Sequence, residues 1–271
     1  MSHRPRKRFG QHFLHDPVVI ARIVAAIQPR NSDAIVEIGP GQGAITMPLL
    51  RSAGHLQVVE LDRDLIDPLR EQCREAGELI LHNADALRFD FCRLTGAAEK
   101  LRVVGNLPYN ISTPLLFHLL SQAGCIRDMH FMLQKEVVDR LAAATGSRQY
   151  GRLSVMVQYR CRVTRLFAIG PGAFQPPPRV ESAFIRLEPY RELPVAIHNE
   201  TVLDTLVRQA FAQRRKTLRN ALRGMLEEEA IRSLGIDPSV RAEMLGLGEF
   251  AALANYAASC LPGVANEEKD V

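Results

Sequence analysis

A four-residue motif has the groups needed to activate an amino nitrogen on a heterocyclic base: Asn106, Leu107, Pro108 and Tyr109. Such a nitrogen is a poor nucleophile because its lone pair is delocalised into the ring. Two carbonyl oxygens that accept its N–H groups would favour a pyramidal nitrogen, and the Asn106 side chain and the Leu107 backbone could supply them. The ring of Tyr109 could stack on the base, which is worth about 1–3 kcal/mol. The alternative is a β-turn with an Asx cap.

A glycine-rich loop containing Gly39, Gly41 and Gly43 follows a short apolar segment and precedes a helical one. Glycines let the backbone turn tightly and approach a ligand closely. The spacing from Gly39 to Ala44 also fits a dinucleotide-binding fingerprint. Glu37, two residues before the first glycine, favours S-adenosylmethionine, because dinucleotide-binding turns place an apolar residue there. A glycine-rich turn without a ligand is the remaining alternative.

Two acidic residues stand where further strands are predicted to end. Glu60 closes the segment 56–60 and could accept hydrogen bonds from both hydroxyls of a ribose. Asp85 follows the segment 79–81 and could accept one from an adenine amino group. Each could instead be a helix cap or a solvated acid. Because the carboxyl edge of a doubly wound sheet is where cofactors bind, the two acids and the glycine loop together predict one cofactor site.

The apolar pattern predicts alternating strands and helices. The predicted strands are residues 34–38, 56–60, 79–81, 101–105, 129–133 and 180–187. The predicted helices are residues 16–27, 45–52, 65–75, 113–122 and 135–144. This order is typical of an α/β fold with a mostly parallel sheet. Together with the glycine loop and Glu37, which favour S-adenosylmethionine, it predicts a Rossmann-like class I methyltransferase domain. We therefore divide the chain into a basic arm (1–8), this domain (9–188) and a smaller all-α domain (189–271).

Charge is unevenly distributed along the 271 residues, although the net charge is only +4. Residues 141–180 and 205–224 each contain six basic residues and no acidic one, and the N-terminus is basic as well. One such stretch would be a solvated face, whereas three predict a polyanionic partner, most simply nucleic acid. The composition, 46% hydrophobic and 24% charged, excludes a disordered or collagen-like chain.

The five cysteines are odd in number, scattered and without a C-x-x-C pair, so we expect reduced thiols and no metal site. No apolar run reaches the roughly 18 residues of a membrane span. No apolar core follows the basic N-terminus as it would in a secretory signal, and a mitochondrial presequence would leave too little room before Phe9. We expect a cytoplasmic protein without membrane contact, and nothing in the sequence indicates more than a monomer.

Four segments together resemble the small-subunit rRNA adenine dimethyltransferases. They are Lys-Arg-Phe-Gly-Gln-His-Phe-Leu (residues 7–14), the glycine loop, the motif at residues 106–109, and Phe-Gln-Pro-Pro-Pro-Arg-Val-Glu-Ser (residues 174–182). The resemblance extends from about residue 7 to residue 260. It implies that S-adenosylmethionine dimethylates N6 of two adjacent adenosines in a hairpin near the 3′ end of 16S rRNA. The implied substrate is the immature 30S subunit, late in its maturation.

The same resemblance implies roles for individual residues. The residues implied to surround S-adenosylmethionine are His12, Leu14, Gly39, Glu60, Asp85 and Asn106. Position 12 is an asparagine in many relatives, and both side chains can form hydrogen bonds. Phe174 would be a second aromatic face opposite Tyr109, with a core phenylalanine as the alternative. The implied contacts with the rRNA backbone are Arg214, Arg215, Lys216 and Arg219.

Other functions stay open at this point. A macrolide-resistance 23S rRNA adenine N6-methyltransferase shares the fold and the Asn-aromatic motif, but the opening segment and the longer basic helical domain favour the small-subunit enzyme. An adenine DNA methyltransferase would act on duplex DNA. A mainly non-catalytic RNA-binding ribosome assembly factor would not need Asn106 or the glycine loop. A nicotinamide oxidoreductase leaves residues 106–109 unexplained.

Overall fold

A computed structural model describes residues 12–95 and 100–260. The chain forms two compact units: the first contains the chain up to Val138 and residues 161–189, and the second contains residues 139–160 and the chain from Tyr190 onward. The sequence predicted a single boundary after residue 188 and placed residues 139–160 in the first domain. That segment instead joins the helical unit, because Tyr150, Val155 and Tyr159 are buried in its apolar core. The predicted basic arm, residues 1–8, lies outside the described residues.

Among the described residues of the first unit, nine segments form strands. They are β1 (Phe13–Leu14), β2 (Ile35–Ile38), β3 (His55–Glu60), β4 (Glu78–Asn83), β5 (Leu101–Asn106), β6 (Ile126–Gln134), β7 (Cys161–Ile169), β8 (Phe174–Gln175) and β9 (Ser182–Pro189). Seven of them form one sheet in the order β4-β3-β2-β5-β6-β9-β7, while β1 and β8 form a separate antiparallel pair. Neighbouring strands from β4 to β6 are parallel, and β9 is antiparallel to both of its neighbours. The mostly parallel α/β sheet is confirmed, whereas β1, β7 and β8 were not predicted.

Five helices between residues 17 and 141 match the predicted segments. They are α1 (Pro17–Ile27), α2 (Thr46–Ala53), α3 (Ile66–Cys73), α4 (Ser112–Ser121) and α5 (Lys135–Leu141). The side chain of Asp16 caps α1 by accepting hydrogen bonds from the backbone N–H groups of Val18 and Val19 at 2.8 and 3.2 Å. Proline occupies the first helical position, where its missing N–H carries no penalty.

The register of the parallel strands aligns their carboxyl ends. Ile38, the last residue of β2, pairs with Val59 of β3 on one side and with Gly105 of β5 on the other. Glu60 pairs with Asn83 of β4. A side chain at Gly105 would place its Cβ 2.6 Å from the backbone oxygen of Ile38, so only glycine permits this approach. The ends of four neighbouring strands therefore lie at one edge of the sheet.

The second unit is helical, as predicted. Its helices are α6 (Arg152–Arg160), α7 (Glu200–Ala212), α8 (Leu218–Ala221), α9 (Glu228–Ser233) and α10 (Leu247–Cys260). Asn199 caps α7 by accepting from the N–H groups of Thr201 and Val202. Leu206 of α7 and Phe250 of α10 are fully buried in the core. Helix α6 was not predicted.

A disulfide joins Cys92 to Cys125, so the expectation of reduced thiols throughout was wrong. The two cysteines are 33 residues apart in sequence, which no local pattern reveals, but their Cα atoms are 5.5 Å apart. The segments that carry them are also linked by a 2.7 Å hydrogen bond from the backbone N–H of Phe91 to the side chain of Gln122. Cys73, Cys161 and Cys260 are free thiols.

Two kinds of feature are absent from residues 12–95 and 100–260. None of the helices there has the length and apolar character needed to cross a membrane. No group of three or more His, Cys, Asp or Glu side chains within those ranges is arranged to hold a metal ion.

A buried ionic cluster connects the amino ends of the central strands. Arg102 at the start of β5 contacts Asp33 at 2.8 Å and Asp128 at 3.0 Å, and donates to the backbone oxygen of Ile27 at 2.6 Å. Burial alone would raise the pKa of Asp128, but its contacts with His130 and Arg102 lower the pKa to about 2. Removing one member of such a cluster leaves an uncompensated buried charge.

We expect Arg102→Met to lower the free energy of unfolding by about 3–5 kcal/mol, because both aspartates then stay buried without this cation. Urea unfolding followed by circular dichroism measures the change. Arg127→Met is the matched control, since Arg127 contacts Asp33 at 2.9 Å but its side chain is 47% exposed. The control should cost less than about 1 kcal/mol. Equal losses for the two variants would contradict this account.

Candidate active site

A cavity of about 300 Å³ lies at the carboxyl edge of the sheet. It is lined by the ends of β2, β3 and β5, by β1 and by the segment after β4. The residues predicted from sequence that line it are His12, Leu14, Gly39, Glu60, Asp85, Asn106, Leu107, Pro108 and Tyr109. The structure therefore brings together the predicted catalytic and cofactor residues with the exception of Phe174.

The glycine loop turns in a backbone conformation that other residues rarely adopt. The φ angles of Gly39 and Gly41 are +66° and +58°. The N–H of Gly39 donates to the backbone oxygen of Val59 at 2.9 Å, which fastens the loop to the end of β3. A Cβ at Gly41 would lie 3.1 Å from the ring of Phe13. The loop thus keeps its backbone against the cavity wall without side chains that would fill the space.

Glu37 is buried at the cavity wall and carries an unsatisfied oxygen. Its side chain belongs to β2, and the residue is 1% exposed. Burial, together with the nearby Glu60 carboxylate, raises the pKa of Glu37 to about 7, although the Thr46 side chain acts in the opposite direction. Within the described part of the chain, Glu37 Oε2 has no hydrogen-bond partner. A buried polar atom of this kind is costly unless a bound donor or cation satisfies it.

Glu60 and Asp85 are positioned by their own turns. Glu60 is 7% exposed and accepts a 2.8 Å hydrogen bond from the backbone N–H of Asp62, and burial raises its pKa. The Asn83 side chain donates to the backbone oxygen of Glu60 at 2.8 Å. Asp85 is half-buried and accepts from the N–H of Leu87 at 3.0 Å. Asp85 is therefore both a turn cap and a cavity residue, so the two interpretations of this acid are compatible.

The Asn106 amide is oriented by the segment that precedes α1. Its Nδ2 donates to the backbone oxygen of His12 at 3.0 Å, which leaves Oδ1 as the acceptor of the side chain. The following Leu107 N–H donates to the backbone oxygen of Met132 in the adjacent strand at 3.2 Å. The turn after it is closed by a 3.2 Å bond from Ile111 N–H to the oxygen of Pro108. Hydrogen bonds thus hold the motif on both sides of its two potential acceptors, Asn106 Oδ1 and the Leu107 backbone oxygen.

The Tyr109 ring is held by a residue that sequence reasoning missed. Its hydroxyl lies 2.7 Å from Ser182 Oγ, and Ser182 is fully buried at the start of β9. Burial raises the pKa of the Tyr109 hydroxyl. The ring of His12 stacks on Tyr109 with centroids 5.7 Å apart, and His12 Nδ1 lies 2.8 Å from the oxygen of Pro176. Ser182 is the last residue of the segment 174–182, but the sequence of that segment does not reveal its partner.

Phe174 lies away from the cavity wall. It is 2% exposed, pairs with Leu14 through β8 and β1, and packs in the apolar core with Phe184. This position agrees with the alternative of a core phenylalanine. In this structure the ring that faces Tyr109 is that of His12, and the stacking role of Phe174 stays a prediction.

The four predicted rRNA contacts in the second unit differ in their surroundings. Arg214 and Arg219 each form an ion pair with a glutamate at 3.2 Å. Arg215 and Lys216 are exposed, and their side chains make no hydrogen bond or ion pair within residues 12–95 and 100–260. Glutamates therefore offset the charges of Arg214 and Arg219, whereas the charges of Arg215 and Lys216 are more available to a ligand.

The family model described as "Ribosomal RNA adenine dimethylase" matches residues 2–259. The chain belongs to this family. The membership confirms the predicted class of enzyme, a methyltransferase, and S-adenosylmethionine as its methyl donor. The Rossmann-like fold class is confirmed as well.

Individual relatives and solved structures resemble the chain over nearly its full length. A protein of Nitrosococcus oceani named "Ribosomal RNA small subunit methyltransferase A" is 57% identical over 256 residues, which is 94% of this chain and 97% of the relative. The crystal structure of a dimethyladenosine transferase from Plasmodium falciparum has a TM-score of 0.75 at 27% identity and covers 89% of this chain and 96% of that one. The 23S rRNA methyltransferase ErmE has a TM-score of 0.71 at 23% identity, covering 91% of this chain and 99% of that one, and shares the fold.

The groups at the cavity fit S-adenosylmethionine. The unsatisfied oxygen of Glu37 suits an ammonium group, which brings both positive charge and N–H donors. The Glu60 carboxylate suits a pair of ribose hydroxyls. Gly39 and Gly41 line the cavity, where their backbone could approach a ligand closely. Sequence reasoning used Glu37 only as a sign of the cofactor class, and the structure adds it to the residues that could contact the cofactor.

We expect Ser182→Ala and Tyr109→Phe each to slow methylation of RNA, because either change removes the hydrogen bond that orients the Tyr109 ring. A neutral hydrogen bond is worth about 0.5–1.5 kcal/mol, so the rate should fall about 2- to 12-fold. The double variant should be no slower than Tyr109→Phe alone, since the two changes remove the same bond. Single-turnover methyl transfer measures the three rates. Ser121→Ala, an exposed serine whose hydroxyl bonds within its own helix, is the control. Additive losses would rule out this positioning role.

Proposed function

We propose that the protein dimethylates N6 of two adjacent adenosines in the 3′-terminal hairpin of 16S rRNA, with S-adenosylmethionine as methyl donor. We infer that the enzyme is a monomer that acts in the cytoplasm on the immature 30S subunit and contributes to late subunit maturation. One observation carries the chemistry: the Asn106 amide donates to His12, and its oxygen is left as an acceptor beside Tyr109. The choice of the small subunit is supported by the 57% identity to the Nitrosococcus oceani protein.

The residues of the motif would act mainly by positioning. The Asn106 Oδ1 and the Leu107 backbone oxygen accept the two N–H groups of the adenine amino nitrogen, which frees its lone pair for attack. The Tyr109 ring stacks on the base and fixes its distance from the cofactor. When bound, S-adenosylmethionine supplies a methyl group that is strongly electrophilic because it is attached to a sulfonium. With such a donor, orientation contributes most of the rate and no strong general base is required.

The cofactor would be held by residues from three strand ends and from the segment before α1. Gly39 provides the backbone turn, Glu60 accepts from the ribose hydroxyls, and Asp85 accepts from the adenine amino group of the cofactor. His12 and Leu14 close the cavity from the segment before α1. Glu37 holds the ammonium group, a role that its burial and its unsatisfied oxygen support.

We expect Asn106→Ala to reduce methyl incorporation into unmethylated 30S subunits at least about 100-fold, the usual effect of removing one group that stabilises developing charge. The affinity for S-adenosylmethionine should stay within a few-fold, because the backbone of the glycine loop and the acids at the strand ends are unchanged. Transfer of a labelled methyl group and equilibrium dialysis measure the two quantities. Unchanged turnover would eliminate the assigned role of Asn106. Methyl incorporation by the wild type into 50S rather than 30S subunits would favour the alternative function, a 23S rRNA adenine N6-methyltransferase.

The affinity for S-adenosylmethionine should rise with pH between about 5.5 and 7 and then level off. In the protein without cofactor, Glu37 has a pKa of about 7. Below pH 7 its carboxyl group must therefore lose a proton before it can pair with a cation. Well below this pKa, the affinity should increase nearly tenfold per pH unit, because one proton is released on binding. Isothermal titration at several pH values measures it. Glu37→Gln should bind more weakly at pH 7.5 and show a flatter profile. A profile equal to that of the wild type would show that another group titrates.

A further inference from the structure

We propose that Arg148 adds a contact to the rRNA-binding surface that the family resemblance implies, so that Arg148, Arg215 and Lys216 of the second unit together bind the phosphodiester backbone of RNA. We call these three residues the Arg148 patch. Arg214 is then a positioning residue that holds Arg148 next to the other two. The inference rests on the proposed function, in which the protein acts on RNA, and it changes the set of cations expected from the family resemblance.

The Arg214 side chain is occupied by protein groups. Its Nη2 donates to the backbone oxygen of Arg148 at 2.6 Å and to that of Tyr150 at 3.2 Å. The same nitrogen lies 3.2 Å from the Glu243 carboxylate, which offsets the positive charge. A guanidinium with these partners would have to give them up in order to bind a phosphate. Arg214 is thus better suited to holding the segment that contains Arg148.

That segment is anchored on both sides of Arg148. On one side, the N–H of Gly146 donates to the backbone oxygen of Glu243 at 2.7 Å, and the φ of Gly146 is +83°. On the other side, Tyr150 is 1% exposed and packs edge-on against Phe211 with ring centroids 6.1 Å apart. Arg148 lies between these anchors and is itself exposed. Its position is therefore fixed by the backbone while its side chain stays accessible.

The patch combines two stretches that are far apart in sequence. Arg148 belongs to the acid-free residues 141–180, and Arg215 and Lys216 belong to the acid-free residues 205–224. The bond from Arg214 to Arg148 joins the two stretches across 66 residues. Within the portion of the chain that is described, the side chains of the three patch cations have no hydrogen bond or ion pair. Cations without counterions attract a polyanion, and guanidinium groups match phosphate geometry.

Arg219 differs from the three patch cations because it has a counterion. Its Nη1 lies 3.2 Å from the Glu228 carboxylate, which also pairs with Arg232 at 2.7 Å. These two cations share one carboxylate on α9, so they are less available to a phosphate. Arg232 has a side chain that is 61% exposed, which makes it a suitable control for the loss of one surface positive charge.

The test is the salt dependence of RNA binding by the full-length protein. The probe is a hairpin RNA with the sequence of the 3′ end of 16S rRNA, titrated at several KCl concentrations. Each phosphate contact contributes about 0.7–0.9 to the slope of log K against log salt. We expect Arg148→Ala and Arg215→Ala each to reduce the slope by about one contact, and Arg232→Ala to leave it unchanged. Equal slopes for Arg148→Ala and Arg232→Ala would overturn the proposal.

A second pair of variants tests the role of Arg214. If Arg214 acts through Arg148, Arg214→Gln should lower the slope by no more than Arg148→Ala does, and the double variant should show no further loss. A further loss of about one contact in the double variant would show that Arg214 itself binds phosphate and would refute its positioning role. Hydrogen exchange at residues 144–150 should be faster in Arg214→Gln than in the wild type, and unchanged exchange would also refute that role.

The outcomes separate this inference from the proposed function. If the wild type neither binds the hairpin nor methylates 30S subunits, the proposed function fails and the Arg148 patch has no RNA to bind. If the wild type does both and Arg148→Ala behaves like Arg232→Ala, the proposed function stands and only the patch is refuted.

Discussion

The site depends on the parallel pairing of β2 with β3 and β5. Ile38 is in register with Val59 on one side and with Gly105 on the other, so the three strands end at the same level. The missing side chain of Gly105 permits this pairing, since a Cβ would lie 2.6 Å from the Ile38 oxygen. A slip of one residue would turn every side chain of a strand to the opposite face of the sheet. The positions of the glycine loop, Glu60 and Asn106 all follow from this register.

A second set of contacts connects the cofactor residues with the motif at residues 106–109. The segment before α1 contributes the His12 oxygen that orients Asn106, and the His12 ring lies against Tyr109. Through Leu14 the same segment pairs with β8, and the chain that leaves β8 leads to Ser182, which holds the Tyr109 hydroxyl. The methyl donor and the target base would therefore be oriented by one continuous group of contacts within the first unit.

The sequence predicted those features of the fold and the site that depend on residues close together in the chain. The cap at Asp16, the glycine loop and the acids at strand ends are set by residues close in sequence, and the structure has them at the expected positions. Contacts across long separations were missed, because no pattern records them. The Cys92–Cys125 disulfide spans 33 residues and the Tyr109–Ser182 bond spans 73. Residues 139–160 join the helical unit for the same reason, since their buried tyrosines pack against helices that come much later in the chain.

The most direct test of the account is nucleoside mass spectrometry on immature, unmethylated small subunits that have been incubated with the protein and S-adenosylmethionine. We expect N6,N6-dimethyladenosine at two adjacent positions near the 3′ end of 16S rRNA. Dimethyladenosine in large-subunit rRNA alone would contradict it, as would tight binding to the subunit without any methylated product.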